Sequence, residues 1–376
     1  MFEIGSISKV FTGILLADEI GRGRCRLDDT MKGYLPKSVS VPTGSQITLA
    51  HLATHTAGYP REPANLPREP ETSYSPADLY TYLASFSFPP GQSPGVAYDY
   101  SNVGMGLLGH LIALHEGTDL DRLLYERVAK PLGMESTRVR ATPGMASRMA
   151  SGYDADGPPA PAHRESVLDG AGAISSSARD MLRFMRANLH PDGSEVGKAI
   201  ALAQQPLHDT DEQEERIGLG WHLDAQDRLF HNGQTGGFHS YLALDRKREV
   251  GVVVLTNVAS LVMDGFARAV MARLTGEQYT FELPKTVPQP ISVLQRYVGR
   301  YQVAPGDALE ITLKEGVLMG RSSGDSARRL DPESASEFHF RNAPMIRVSF
   351  PAKDGEDVSG LVLHFGPKDI PCKRLP

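Results

Sequence analysis

The chain has 376 residues, a formal net charge of −6, 40% hydrophobic residues and 22% charged residues. That length suits two or three domains with a sizeable core, and the ordinary composition excludes disordered and fibrous classes. The mild charge offers no basic footprint for nucleic acid or anionic membrane, and no run approaches the ~18 apolar residues a membrane span needs.

In chain order, residues 1–20 read as a loop entering a helix, with Val10, Phe11, Ile14, Leu15 and Leu16 on one face. From about residue 35 to 210 helices alternate with Pro/Gly-rich loops, most clearly helical over 107–112 and 181–185. Five prolines between Pro60 and Pro76 mark a surface loop at the rim of a cleft. Strands are expected at 217–221, 240–244 and 249–255, with a hairpin turn at 245–248, then a helix over 261–274. Pro284, Pro288 and Pro290 mark a linker, and short alternating strands such as 309–313 and 361–365 predict a small barrel or sandwich beyond it.

The expected organisation is an α/β (α+β) catalytic domain over 1–283, a Pro-rich linker over 284–293 and a small all-β domain over 294–376. The first residues lack the features of a signal peptide. As written the chain reads as cytoplasmic; a longer precursor carrying such a signal would make it periplasmic or secreted. Cys25 and Cys372 lie nearly a chain length apart, which excludes a disulfide framework and a thiolate metal site.

Three short motifs carry chemistry. Ser6-Ile7-Ser8-Lys9 is the one S-x-x-K; residues three apart share a helix face, so the Lys9 amine can reach the Ser6 hydroxyl. A lysine serves as base only if burial or a neighbouring cation lowers its pKa from roughly 10.4. Tyr100-Ser101-Asn102 is the one Y-x-N, ahead of an apolar helix. A tyrosine near an ammonium can act as general base, and an Asn amide can orient the lysine and a substrate carbonyl. His231-Asn232-Gly233-Gln234 leads into the glycine-rich turn at Gly236 and Gly237, where backbone can approach a ligand and present N–H groups to an oxyanion. Each motif alone also has a plain structural reading: a helix cap with a solvated lysine, a packed tyrosine beside a capping Asn, a hairpin with a surface histidine.

Taken together and in this order, the three motifs resemble the serine β-lactamase and penicillin-binding-protein superfamily. The text is closest to class C β-lactamases, related esterases and D-aminopeptidases, with further likeness at 2–9, 52–58, 170–180 and 231–257. The likeness covers roughly residues 1–280, and the remainder resembles a lipocalin-like domain appended to some members. It implies helices packed on an antiparallel sheet, with a helical insertion. It also implies an acyl-enzyme on Ser6, Lys9 as its partner, Tyr100 as the base and Asn102 orienting the substrate. His231 and Gly233 would line the substrate, and the backbone N–H groups of Ser6 and Gln234 would form the oxyanion hole. No metal or organic cofactor is implied.

Two departures stand out. His231-Asn232-Gly233 replaces Lys-Thr-Gly, so a permanent cation becomes a titratable imidazole. The segment that normally precedes S-x-x-K, including a helix and sheet strands, is not in this sequence. The expected activity is therefore that of a β-lactamase-like carboxylesterase acting on small esters, amides or D-amino-acid peptides. The alternatives are a β-lactamase or D,D-peptidase and, in another class, a non-catalytic binding or scaffold protein. Oligomeric state is open. His51 and His55 lack the intervening Glu of a zinc motif and read as part of a packed helix; no G-x-S-x-G is present.

Overall fold

In the computed structural model, which describes residues 1–41, 46–67, 72–161, 166–210, 215–304, 306–322, 327–351, 356–365 and 368–376, strand β1 (Phe2–Glu3) and a 3₁₀ turn at Gly5–Ile7 run straight into helix α1 (Ser8–Gly21). Helices α2 (Leu49–Ala53), α3 (Pro76–Ser85), α4 (Asn102–His115), α5 (Leu120–Leu124) and α6 (Pro143–Ala146) follow. Strands β2 (Tyr153–Asp154) and β3 (Ser175–Ser176) then precede helices α7 (Ala178–Leu189) and α8 (Glu195–Ala203). Their starts are encoded locally. Thr48, Ser75, Ser101, Asp119, Thr142, Ser177 and Ser194 each accept a first-turn backbone N–H on a side-chain oxygen. The proline-rich stretch before α3 forms neither helix nor strand where it is described, and its residues 68–71 lie outside the described residues.

Strands β4 (His208–Asp209), β5 (Arg216–Ile217), β6 (His222–Leu223), β7 (Leu229–Gln234), β8 (His239–Asp245) and β9 (Val250–Thr256) form an antiparallel sheet in chain order. Every residue of β8 is buried, because both faces of the sheet are covered. Leu242 and Leu244 face the main core with Phe184 and Met181 of α7. Tyr241 and Ala243 face the other side, toward Ala267 and Met271. Those two belong to helix α9 (Val262–Thr275), which follows β10 (Val258–Ala259), the parallel partner of β2.

Two expectations change here. Residues 217–221 do not make one strand. They turn from β5 to β6, with Gly218 N donating to Trp221 O at 2.8 Å and Gly220 at φ +77°. The turn buries Trp221 completely and presses on α1: a Cβ on Gly220 would lie 2.5 Å from Lys9 O, and one on Gly13 would lie 1.9 Å from Leu219 O. Helix α1 also has no solvent face over most of its length. Residues 8–19 are all buried, among α4, α8 and this turn. Beyond the apolar face expected from the sequence, the helix's polar residues are buried too, with Ser8, Lys9, Thr12 and Asp18 hydrogen-bonded.

Helix α10 (Ile291–Gln295) begins inside the expected linker. Strands β11 (Gly299–Ala304), β12 (Asp307–Lys314), β13 (Val317–Arg321), β14 (Arg328–Pro332), β15 (Glu337–Phe340), β16 (Ala343–Ser349), β17 (Gly360–Phe365) and β18 (Lys368–Arg374) then close as a barrel, β18 returning to β11. Of the barrel and the sandwich, the barrel is the one formed. Tyr297, Tyr301, Phe338 and Phe350 pack its interior, with Tyr297 and Phe350 stacked at 4.0 Å between ring centres.

The contact between α1 and the 218–221 turn has no room for a methyl group. Gly13→Ala is therefore expected to destabilise the chain by roughly 1–3 kcal/mol, read as a lower denaturant midpoint. An unchanged midpoint would mean that α1 does not lie against Leu219.

Candidate active site

The site is built on a close backbone approach. Ile4 N donates to Ile174 O at 2.9 Å and Ser240 Oγ donates to Ile4 O at 2.7 Å, which pins the segment before Ser6 between two elements. Gly5 sits at φ +50°, and a Cβ there would lie 2.6 Å from Gln234 N. A Cβ on Gly233 would lie 2.1 Å from Ile4 O and 2.8 Å from Ser6 N. Two glycines therefore let the turn carrying Ser6 lie directly on β7. Thr235 N donates to Phe238 O at 3.0 Å, and bonded and non-bonded pairs alternate along an antiparallel ladder. Gln234, opposite His239, thus turns its N–H away from β8 and toward Gly5 and Ser6.

Lys9 lies one turn on from Ser6 and is fully buried. Its Nζ is 2.9 Å from Ser6 Oγ and donates to Ala171 O at 2.7 Å. Burial first, then the Arg61 guanidinium, hold its pKa well below the ordinary lysine range; Glu62 opposes them. The amine sits 4.8 Å from the centre of the Tyr100 ring. The Tyr100 hydroxyl shares a hydrogen bond with Ser6, yet burial pushes its pKa up to about 12. The amine is thus biased toward its neutral form and the phenol toward its protonated one.

Asn102 opens α4 beside them. Its Nδ2 donates to Glu62 Oε1 at 2.5 Å, and its N–H donates to Arg61 O at 2.9 Å. Among the described residues Asn102 does not hold Lys9; the Ala171 carbonyl does. His231 is buried in β7, and its pKa is well below the ordinary histidine range through burial first, then His222 and Lys9. Its Nδ1 lies 2.5 Å from Asn232 O, a carbonyl that only accepts, so Nδ1 bears the hydrogen. In the neutral ring Nε2 is then an acceptor, and it has no partner among the described residues.

Several neighbours were given no place in the site by the sequence reading. Helix α2 ends at Ala53, so His51 and His55 do not share a helix, contrary to expectation. His55 lies past its end at φ +58°, buried, with its ring 4.6 Å from that of Tyr100, and its Nδ1 accepts from Ser101 N at 3.1 Å. Arg61 lies 5.1 Å from the Tyr100 ring centre and is the cation nearest that ring besides Lys9 among the described residues. No spacing rule marks these residues; they arrive through the loop after α2.

A family model described as Beta-lactamase matches residues 1–277. The chain belongs to the β-lactamase family. It is 29% identical over 294 residues to a β-lactamase of Escherichia coli K12, covering 68% of this chain and 75% of that protein. A D-alanyl-D-alanine-carboxypeptidase/endopeptidase, AmpH, of the same strain is 27% identical over 279 residues, covering 69% and 71%. A solved class C β-lactamase mutant superposes with a TM-score of 0.64 at 21% identity, covering 72% of this chain and 82% of that one, which shows the shared fold. As a β-lactamase-family chain it is a serine hydrolase. Among the described residues no helix is long and apolar enough to cross a membrane.

Chemically, this β-lactamase-family site holds an amine biased toward its neutral form within hydrogen-bond reach of a serine hydroxyl. A depressed lysine pKa keeps that base neutral above its folded value and protonated below it. Acylation of the chain by a neutral ester should therefore rise with pH to a plateau reached well below 10.5, the ordinary lysine value. A rate still climbing toward pH 10 would leave Lys9 an ordinary, charged lysine.

Proposed function

We propose that the chain is a carboxylesterase of this family, turning over uncharged esters through an acyl-Ser6 intermediate. Ser6 Oγ bonds to the carbonyl carbon as its proton passes to Lys9 Nζ. The resulting oxyanion is met by the N–H groups of Ser6 and Gln234. The ester C–O bond then breaks, and the leaving alkoxide takes its proton from Lys9 by way of the Tyr100 hydroxyl. Water repeats the sequence on the acyl-serine and releases the acid. Asn102, held by Glu62, orients the substrate at the rim, and Gly233 keeps β7 close enough for the carbonyl to reach Gln234 N–H.

His231 is the observation that carries the ester preference. A buried neutral imidazole whose one hydrogen is committed to Asn232 O has only an acceptor nitrogen left, its ring 6.4 Å from that of Tyr100. An acceptor repels a substrate carboxylate, where a lysine would attract one. The relatives' names support a second reading, cleavage of β-lactams or D-alanyl peptides, and Arg61 is a cation that could serve it. The pairing of Ser6 with Lys9 weighs against a purely structural or sensing role.

Intact-protein mass spectrometry after incubation with a fluorophosphonate, a penicillin and a short acyl ester tests the reading. The fluorophosphonate and ester adducts are expected on the wild type and absent from Ser6→Ala at unchanged thermal stability. An adduct surviving in that variant would place the nucleophile elsewhere.

Steady-state kinetics at pH 8 separate the two substrate classes. Wild type should favour short uncharged esters over penicillins in kcat/KM. His231→Lys should narrow the gap by roughly tenfold, about 1.4 kcal/mol, by improving the carboxylate-bearing substrate. A wild type that prefers penicillins, or a lysine variant with no gain on them, would remove His231 from the anion-facing position.

A further inference from the structure

The barrel is closed at one end and open at the other. Tyr297, Phe338 and Phe350 fill the closed end, their ring centres 4.0–5.7 Å apart. At the opposite end β13, β15 and β17 finish and β14 and β16 begin, and this end abuts the catalytic domain. Arg328 Nη1 donates to both Asp154 carboxylate oxygens at 2.8 and 2.6 Å, and Leu261 N donates to Asn342 O at 2.7 Å. Between these contacts lies a cavity of about 360 Å³ walled by Leu309, Phe340, Ile346, Leu363 and Phe365. Its wall on the catalytic side includes Gln234, the residue whose N–H faces Ser6.

We propose that this barrel mouth is a binding subsite for the apolar acyl chain of the substrate, a proposal that rests on the ester reading above. The direction follows from the chemistry. In the acyl-enzyme the carbonyl oxygen lies at Gln234 N–H, and the leaving group departs on the side of its proton donors, Lys9 and Tyr100. The acyl substituent must run another way, and Gln234, where β7 ends, is itself part of the cavity wall. Arg328 at the rim is neutralised by Asp154, so nothing there selects a charged chain end. The volume falls within the range of small-molecule sites, and the large apolar side chains of its wall favour methylene groups, while Ser322, Arg328 and Asn342 supply a polar edge. The barrel thereby selects acyl length while the catalytic domain supplies the chemistry.

The test is a series of p-nitrophenyl esters from acetate to dodecanoate, with kcat/KM measured on the full chain. It should rise about two- to fourfold per methylene until the cavity is filled. Ile346→Trp and Leu363→Trp, made separately, fill the cavity from different strands. Each should abolish that rise and leave acetate turnover and fluorophosphonate labelling at the wild-type level. Binding of decanoate to Ser6→Ala, followed by calorimetry, gives a readout free of catalysis, and should be lost when either tryptophan is added. Flat chain-length dependence with normal acetate turnover, or decanoate binding untouched by both tryptophans, would overturn the subsite alone. Absence of acetate turnover and of labelling would instead overturn the esterase reading, and decanoate binding would still decide the subsite.

Discussion

Lys9 carries an amine that water does not reach, and placing it there as an ammonium would cost several kilocalories per mole. The domain meets that cost by favouring the neutral amine and by giving it two polar partners, Ser6 Oγ and Ala171 O. Much else follows from keeping water out. Helix α1 has to be covered on every side, which requires backbone contact at Gly13 and Gly220 and the fully buried Trp221 beneath the turn between β5 and β6. Ser8 Oγ donates to Gly5 O at 2.7 Å and Thr12 Oγ1 to Gly170 O at 2.7 Å, so these two hydroxyls of the helix are satisfied without solvent.

The same dryness sets the character of the surrounding side chains. His55 and His231 are both held well below the ordinary histidine range, with burial the leading cause in each. They also hold opposite tautomers: His55 Nδ1 accepts from Ser101 N, whereas His231 Nδ1 donates to Asn232 O. Burial thus biases the imidazoles and the amine toward their neutral forms and keeps the Tyr100 phenol protonated. Arg61 and Glu62 stand at the edge of the site, the first over Tyr100 and the second holding Asn102, so formal charge is kept to the rim.

The two domains meet through few but directed contacts. Among the described residues, Arg328 with Asp154, Arg329 N with Asp156 Oδ2 at 3.3 Å, and Leu261 N with Asn342 O fix the barrel by one end. Its interior packing is independent of the catalytic core, since the two apolar clusters share no residue. A domain with its own core can be oriented by a handful of polar contacts, and its orientation then shapes the cleft it borders.

Much of this was legible in the sequence because the signals are local. S-x-x-K places an amine near a hydroxyl by helical spacing alone, the apolar stretch after Tyr100-Ser101-Asn102 announces α4 although its cap is Ser101 and not Asn102, and the strand-sized apolar runs at 240–244 and 249–255 mark β8 and β9. The register of two adjacent glycine positions, Gly5 and Gly233, was not legible: they meet only after more than two hundred residues of intervening chain have folded. The same holds for Ala171 as the carbonyl that fixes Lys9, and for His55, whose place beside Tyr100 depends on where α2 stops. The sequence by itself determined the chemical groups, the class of fold and the existence of an appended β domain. Only the tertiary structure decided the protonation states, because those depend on how completely water is excluded, and exclusion is a property of packing between segments distant in the chain.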